Sequence, residues 1–140
     1  MNKKNSHLKF SLLLSAVILL AATVTTPAFA DNAVKLKILL LTTGEVTEDV
    51  GYAYIKPVLD EMGVPYDVLN SKTQDLTAAM LASNAGGASC LAAEAGCVGN
   101  YNGIILTDAG LNPAFTPTEW DMLHNYQKNF GVRQAVLSGW

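Results

Sequence analysis

Apolar positions along this chain come in blocks, and each block is punctuated by small polar residues or glycine. KLKILLLTT, Lys35 to Thr43, is a continuous apolar run of strand length. Unbroken apolarity predicts a strand covered on both faces, as in a parallel sheet, because a half-exposed strand would alternate. GEVTEDVGYAYIKPVLDEMG follows, with Tyr54, Ile55, Val58, Leu59 and Met62 at helical spacing and Gly63 as the C-terminal stop. Pro57 lies inside that pattern. It either kinks the helix or marks where the helix becomes regular, and the pattern leaves both open.

The next block, VPYDVLN, reads as a second short strand closed by Asn70. In SKTQDLTAAMLAS, Ser71 and Gln74 have capping-box spacing, and Leu76, Ala79, Met80 and Ser83 fall on one helical face. A Gly/Ala-rich loop intervenes before YNGIILTDAG, a third strand ending at Thr107 and Asp108. In FTPTEWDMLHNYQKNFGVRQAVLSGW, Thr116 is a natural N-cap, Pro117 suits the first helical position, and Glu119 completes a T-x-x-E box. Met122, Leu123, Tyr126 and Phe130 make the apolar face, with Trp120 at its edge. Asp121, His124, Asn125, Lys128 and Asn129 make the wet one. Gly131 ends this helix, and VRQAVL begins a fourth strand that reads as buried.

Strands and helices thus alternate with short connections, which implies right-handed crossovers and a parallel sheet flanked by helices. The expected architecture is α/β, a flavodoxin-like doubly wound layer of strand order 2-1-3-4. No internal repeat or linker divides residues 31–140, so they form one domain. The fourth strand has only begun when the chain ends at Trp140. The expectation is therefore an N-terminal piece, incomplete at its C-terminus, with Val136 and Leu137 exposed and a tendency to self-associate.

Residues 1–30 have a different character. Lys3, Lys4 and Lys9 precede an apolar run from Leu12 to Val24, and Ala28-Phe29-Ala30 follows with small residues either side of the phenylalanine. The run is short for a membrane span of about 20 residues, and the pattern predicts a signal peptide cut after Ala30. The protein is thus expected to be secreted or periplasmic, with no membrane attachment after cleavage. Removing the leader removes three of nine basic residues and none of 12 acidic ones, so the formal charge moves from −3 to −6. An acidic chain without a Lys/Arg cluster is a poor partner for nucleic acid. Cys90 and Cys97, both beyond the leader, are expected to form a local disulfide in an oxidising compartment.

Ligands of such sheets bind outside the carboxyl ends of the strands. Those ends hold Thr42, Thr43, Gly44 and Glu45, then Asn70, then Asp108, then Ser138, Gly139 and Trp140, with Tyr52 close in sequence. Carboxylates and amides beside aromatic rings suit sugar recognition, through hydrogen bonds to hydroxyls and stacking on the ring. Thr43, Glu45, Tyr52, Asp108 and Trp140 are the candidate ligand-binding residues. No catalytic residue, metal ligand or cofactor is expected. His124 is the one histidine after the leader, and its helical position makes it a surface residue. GGASCL lacks the second glycine of a nucleophile elbow, since Leu91 stands there, and no phosphate-binding glycine loop follows the first strand.

KLKILLLTT, YIKPVLDEMGVPYDVLN, YNGIILTD and above all TPTEWDMLHNYQKNFGVRQAVLSGW resemble the N-terminal module of secreted exopolysaccharide deacetylases, similar to the fungal galactosaminogalactan deacetylase. That module is carbohydrate-binding module family 87. The most specific element is the run Trp120, Leu123, Tyr126, Gln127, Phe130, Gly131, Val132 and Arg133. The resemblance implies a non-catalytic domain that binds a polysaccharide containing galactosamine or N-acetylgalactosamine. In the family a metal-dependent deacetylase barrel follows further along the chain, and it is not in this sequence. The rival reading is an exported hydrolase or amidotransferase-like enzyme that uses the strand-end carboxylates.

Overall fold

The computed structural model describes residues 33–111 and 115–137. The expected leader, its cut after Ala30, and Trp140 lie outside the described residues. In chain order the elements are β1 (Ala33–Val34), β2 (Ile38–Thr42), α1 (Val50–Met62), β3 (Tyr66–Asn70), α2 (Ala78–Leu81), β4 (Ala82–Ser83), β5 (Val98–Gly99), β6 (Gly103–Leu106), α3 (Pro117–Phe130) and β7 (Arg133–Val136).

The main sheet has four parallel strands in the order β3-β2-β6-β7. This is the expected 2-1-3-4 arrangement, and the fold is a flavodoxin-like α/β layer. β2 is central, with Leu39, Leu40 and Leu41 all fully buried, so its unbroken apolarity reflects cover on both faces. The chain crosses from β2 to β3 in one direction and from β6 to β7 in the other. Right-handed crossovers therefore set α1 on one face and α3 on the opposite one.

The two faces are unequally filled. Leu39, Leu41, Leu69, Ile104 and Leu106 pack with Leu123, Tyr126 and Phe130 of α3 in one core cluster. A second small sheet, β1-β5-β4, lies in the chain segments that also supply Leu81, Ala82 and Cys97 to this core. Its strands are two residues long, and the Gly/Ala loop between β4 and β5 is tied by the Cys90–Cys97 disulfide, with Cα atoms 5.9 Å apart. Gly99 is required there by space: a Cβ would stand 2.8 Å from the Tyr126 hydroxyl.

On the other face α1 buries only Leu59 completely, with Tyr52 and Ile55 half-buried. The helix begins at Val50 and runs through Pro57 to Gly63, whose φ of 65° makes a left-handed cap. The expected apolar face needs correction. Leu59 and Ile55 face inward, whereas Tyr54 is 75% exposed and Met62 68%. Gly51 explains the rotation, because a Cβ there would lie 2.8 Å from the Thr107 carbonyl oxygen, so that side of the helix sits on the end of β6.

Two further expectations are corrected. Residues 71–77 are not helical, and α2 is a single turn capped by Thr77. Ser71 is used elsewhere: it is buried, and its hydroxyl donates to the Thr42 carbonyl at 2.7 Å. Gln74 reaches back to the Asn70 amide, one residue earlier than the capping-box spacing implied. β7 is exposed at all four residues, not buried, because it is an outer strand paired only with β6 among the described residues. Val136 and Leu137 remain 42% and 43% exposed.

Candidate functional site

The carboxyl ends of β2, β3 and β6 converge because the three strands run parallel and in register, Leu41 pairing with both Leu69 and Leu106. The loops leaving them are fastened to one another. Thr42 donates its hydroxyl to the Gly44 carbonyl at 2.9 Å, and the Ser71 amide and hydroxyl both donate to the Thr42 carbonyl. These bonds hold the β2–α1 loop and the start of the β3–α2 segment side by side.

Asp49 is the organising residue. It is the N-cap of α1 and is buried, and its Oδ1 accepts from the Tyr52 amide at 2.9 Å. Oδ2 accepts from the Thr43 amide at 2.8 Å, the Thr43 hydroxyl at 3.2 Å and the Thr107 hydroxyl. Burial works against the charged form, but the Thr107, Thr43 and Tyr52 donors outweigh it and hold the carboxyl below its ordinary value. One carboxylate thus joins the end of β2, the first turn of α1 and the end of β6.

Between the β2 and β3 loops lies a cleft of about 320 Å³, lined by Thr42, Gly44, Glu45, Tyr52, Asn70 and Gln74 among others. Glu45 Oε1 accepts from Asn70 Nδ2 at 3.3 Å, so the two loops meet across it. Asn70 is itself set by its Oδ1 accepting from the Lys72 amide and by its own amide donating to Gln74 Oε1. Gln74 therefore presents its NH₂, and Glu45 its second oxygen, with no partner among the described residues. The cleft offers donors, acceptors and a negative charge beside a tyrosine.

The structure sorts the sequence-derived candidates. Glu45 and Tyr52 are brought together in the cleft. Thr43 is adjacent but spends its amide and hydroxyl on Asp49. Asp108 follows β6, is exposed, and accepts from the Gly110 amide at 2.8 Å in a turn outside the cleft. The sequence marks Asn70 only as a strand end, and Asp49, Gln74 and Thr107 are not among its site candidates. Asp49 immediately before the helical pattern had the composition of an N-cap, and that was the available signal. His124 is exposed on α3 and stacks on Trp120, ring centroids 5.7 Å apart. Among the described residues no group of three or more His, Cys, Asp or Glu is arranged to hold a metal ion, and no helix is long and apolar enough to cross a membrane.

No family model, curated protein or solved structure matches this chain.

Proposed function

We propose that this protein is a secreted or periplasmic carbohydrate-binding domain, of the kind that accompanies an amino-sugar polysaccharide deacetylase. It holds a galactosamine- or N-acetylgalactosamine-containing chain in the strand-end cleft without turning it over. The observation that carries the reading is the pairing of Glu45, Asn70 and Gln74 with Tyr52 around one polar cleft. Its size is at the small end of the about 300–1,000 Å³ common for small-ligand sites, enough for a short stretch of glycan.

Each group has a task in this reading. Glu45 pairs with a sugar ammonium where the polymer is deacetylated, and Gln74 donates to a hydroxyl or an acetamido oxygen. Tyr52 supplies apolar surface to the sugar ring. Thr42 and Asp49 act indirectly, by fixing the loops that carry these groups. The acidic net charge favours a cationic polymer over an anionic one.

Calorimetric titration of the full chain with galactosamine and N-acetylgalactosamine oligomers, with acetate release assayed in parallel, tests the proposal. Both oligomers bind and no acetate appears. Affinity for the deacetylated oligomer falls with added salt and in Glu45→Gln, whereas Tyr52→Ala weakens both ligands alike. Absence of binding to either oligomer removes the reading. Acetate release replaces it with the hydrolase.

A further inference from the structure

The main sheet has a second cleft near its opposite end, and its electrostatic character is reversed. It measures about 250 Å³ and lies where β2 and β3 begin, beside α2, lined by Lys35, Lys37, Asp67, Met80, Asn100 and Tyr101. Nothing in the strand-end reading uses these residues.

The walls are held by a connected set of bonds. Asn100 donates through Nδ2 to the carbonyl oxygens of Ala79 and Met80, at 3.3 and 3.0 Å, so its Oδ1 is presented to Lys35 Nζ at 2.9 Å. Lys37 Nζ pairs with Asp67 Oδ1 at 2.6 Å, and the Tyr101 hydroxyl donates to Asp67 Oδ2 at 3.0 Å. Partial burial disfavours the Asp67 charge, but Lys37 and Tyr101 outweigh it and hold the carboxyl below its ordinary value. Burial, and then Asp67, push the Tyr101 phenol upward, so it stays protonated and keeps donating.

Donor capacity remains after these bonds are counted. An ammonium carries three donors, and Lys35 and Lys37 each give one side-chain partner a bond here. Two cations and one carboxylate leave a local excess of positive charge in a chain whose formal charge is −3. The half-buried Met80 adds apolar surface next to the two cations, while Tyr101, 4% exposed, belongs to the core and only borders the cleft. Because Asn100 and Asp67 already hold the lysines, little further side-chain ordering is needed when a ligand arrives.

We propose that this cleft is a second binding site, for the carboxylate of an acidic sugar of the uronic-acid class. The carboxylate accepts from the spare protons of Lys35 and Lys37, and the sugar ring lies against Met80. A neutral sugar loses the ionic contact, and an amino sugar is repelled by Lys35. The selectivity is opposite to that of the strand-end cleft. Affinity is on the order of millimolar, because ion pairs this exposed are screened by solvent.

Amide chemical-shift titration of the full chain with glucuronate, glucose, galactosamine and acetate tests this. Glucuronate moves the Lys37, Asn100 and Tyr101 amides saturably while Gly44 and Glu45 stay still, and glucose and galactosamine leave the cleft unchanged. Acetate binds more weakly than glucuronate. Lys35→Gln removes the charge while keeping a neutral, slightly shorter hydrogen-bonding side chain, and it raises the glucuronate Kd by about fivefold. Equal shifts with glucose, equal affinity for acetate, no saturable shift, or an unchanged Kd in Lys35→Gln each overturn the proposal.

Discussion

Helices α1 and α3 are built alike at their ends and differently along their length. They have 13 and 14 residues, each has a polar N-cap, and each stops at a left-handed glycine, Gly63 or Gly131. Each also has a buried carboxylate at its N-terminus that reaches a distant segment. Asp49 binds Thr107, and Glu119 accepts from the Leu76 amide at 2.8 Å as well as from Thr116. Beyond the ends the likeness stops. α3 buries Leu123, Tyr126 and Phe130 in the main core, whereas α1 buries only Leu59. The lesson is a division of labour: α3 is held by packing, and α1 is held largely by the polar network at its first turn. The cleft forms beside the helix whose position depends on hydrogen bonds.

The largest effect separating the two sides is expected in the core. Leu123→Ala removes a fully buried side chain and should cost about 3–4 kcal/mol in denaturant unfolding. Leu59→Ala on the thinner side should cost about 2 kcal/mol, because neighbouring solvent can fill more of the gap. Equal losses would contradict the unequal filling of the two faces.

Asp49→Ala comes next, at about 2–3 kcal/mol, since the Thr107 and Thr43 hydroxyls and two amides lose their acceptor together. The same carboxylate carries a pH signature. Its folded pKa lies below its unfolded value of 3.8, so its contribution is full above that value and fades as pH falls through the folded pKa. Asp49→Asn should therefore flatten the acid limb of the stability profile while costing less than Asp49→Ala. An unchanged acid limb in Asp49→Asn would show that the network does not depend on the charge.

The disulfide should contribute less than the core. It closes a loop between positions seven apart, for which chain-entropy reasoning gives about 2.5 kcal/mol as an upper value. Replacing both cysteines by serine should lower the melting temperature and leave binding at the strand-end cleft unchanged, because that loop lies outside it. The smallest effects belong to the outer flank of α1. Tyr54→Ser and Met62→Gln should each change stability by no more than about 0.5 kcal/mol, as both side chains are largely exposed.

Legibility in the sequence followed the range of the interaction involved. β2 was readable because three consecutive leucines need cover on both faces, and α3 because Thr116, Pro117 and Glu119 are a local cap. The parallel order followed from alternation and handedness. The role of Ser71 is hidden in the sequence because its partner is the Thr42 carbonyl, 29 residues away, while its spacing to Gln74 mimics a cap. The role of Asp49 is hidden for a related reason: Thr107 stands 58 residues further along. The β1-β5-β4 sheet had no periodicity to reveal it, since two-residue strands cannot show one. In the site, Glu45 and Tyr52 were legible from position after β2. Gln74 was not, because the segment carrying it reads as helical and is instead a turn.

The central claim is that the cleft between the β2 and β3 loops binds an amino-sugar chain. The most direct measurement is an amide chemical-shift map of the full chain during titration with a galactosamine oligomer. The account predicts saturable shifts centred on Gly44, Glu45, Tyr52, Asn70 and Gln74, absent from the Lys37–Tyr101 cleft and weakened in Glu45→Gln. Shifts centred elsewhere, or no saturable shift at any residue, would contradict it.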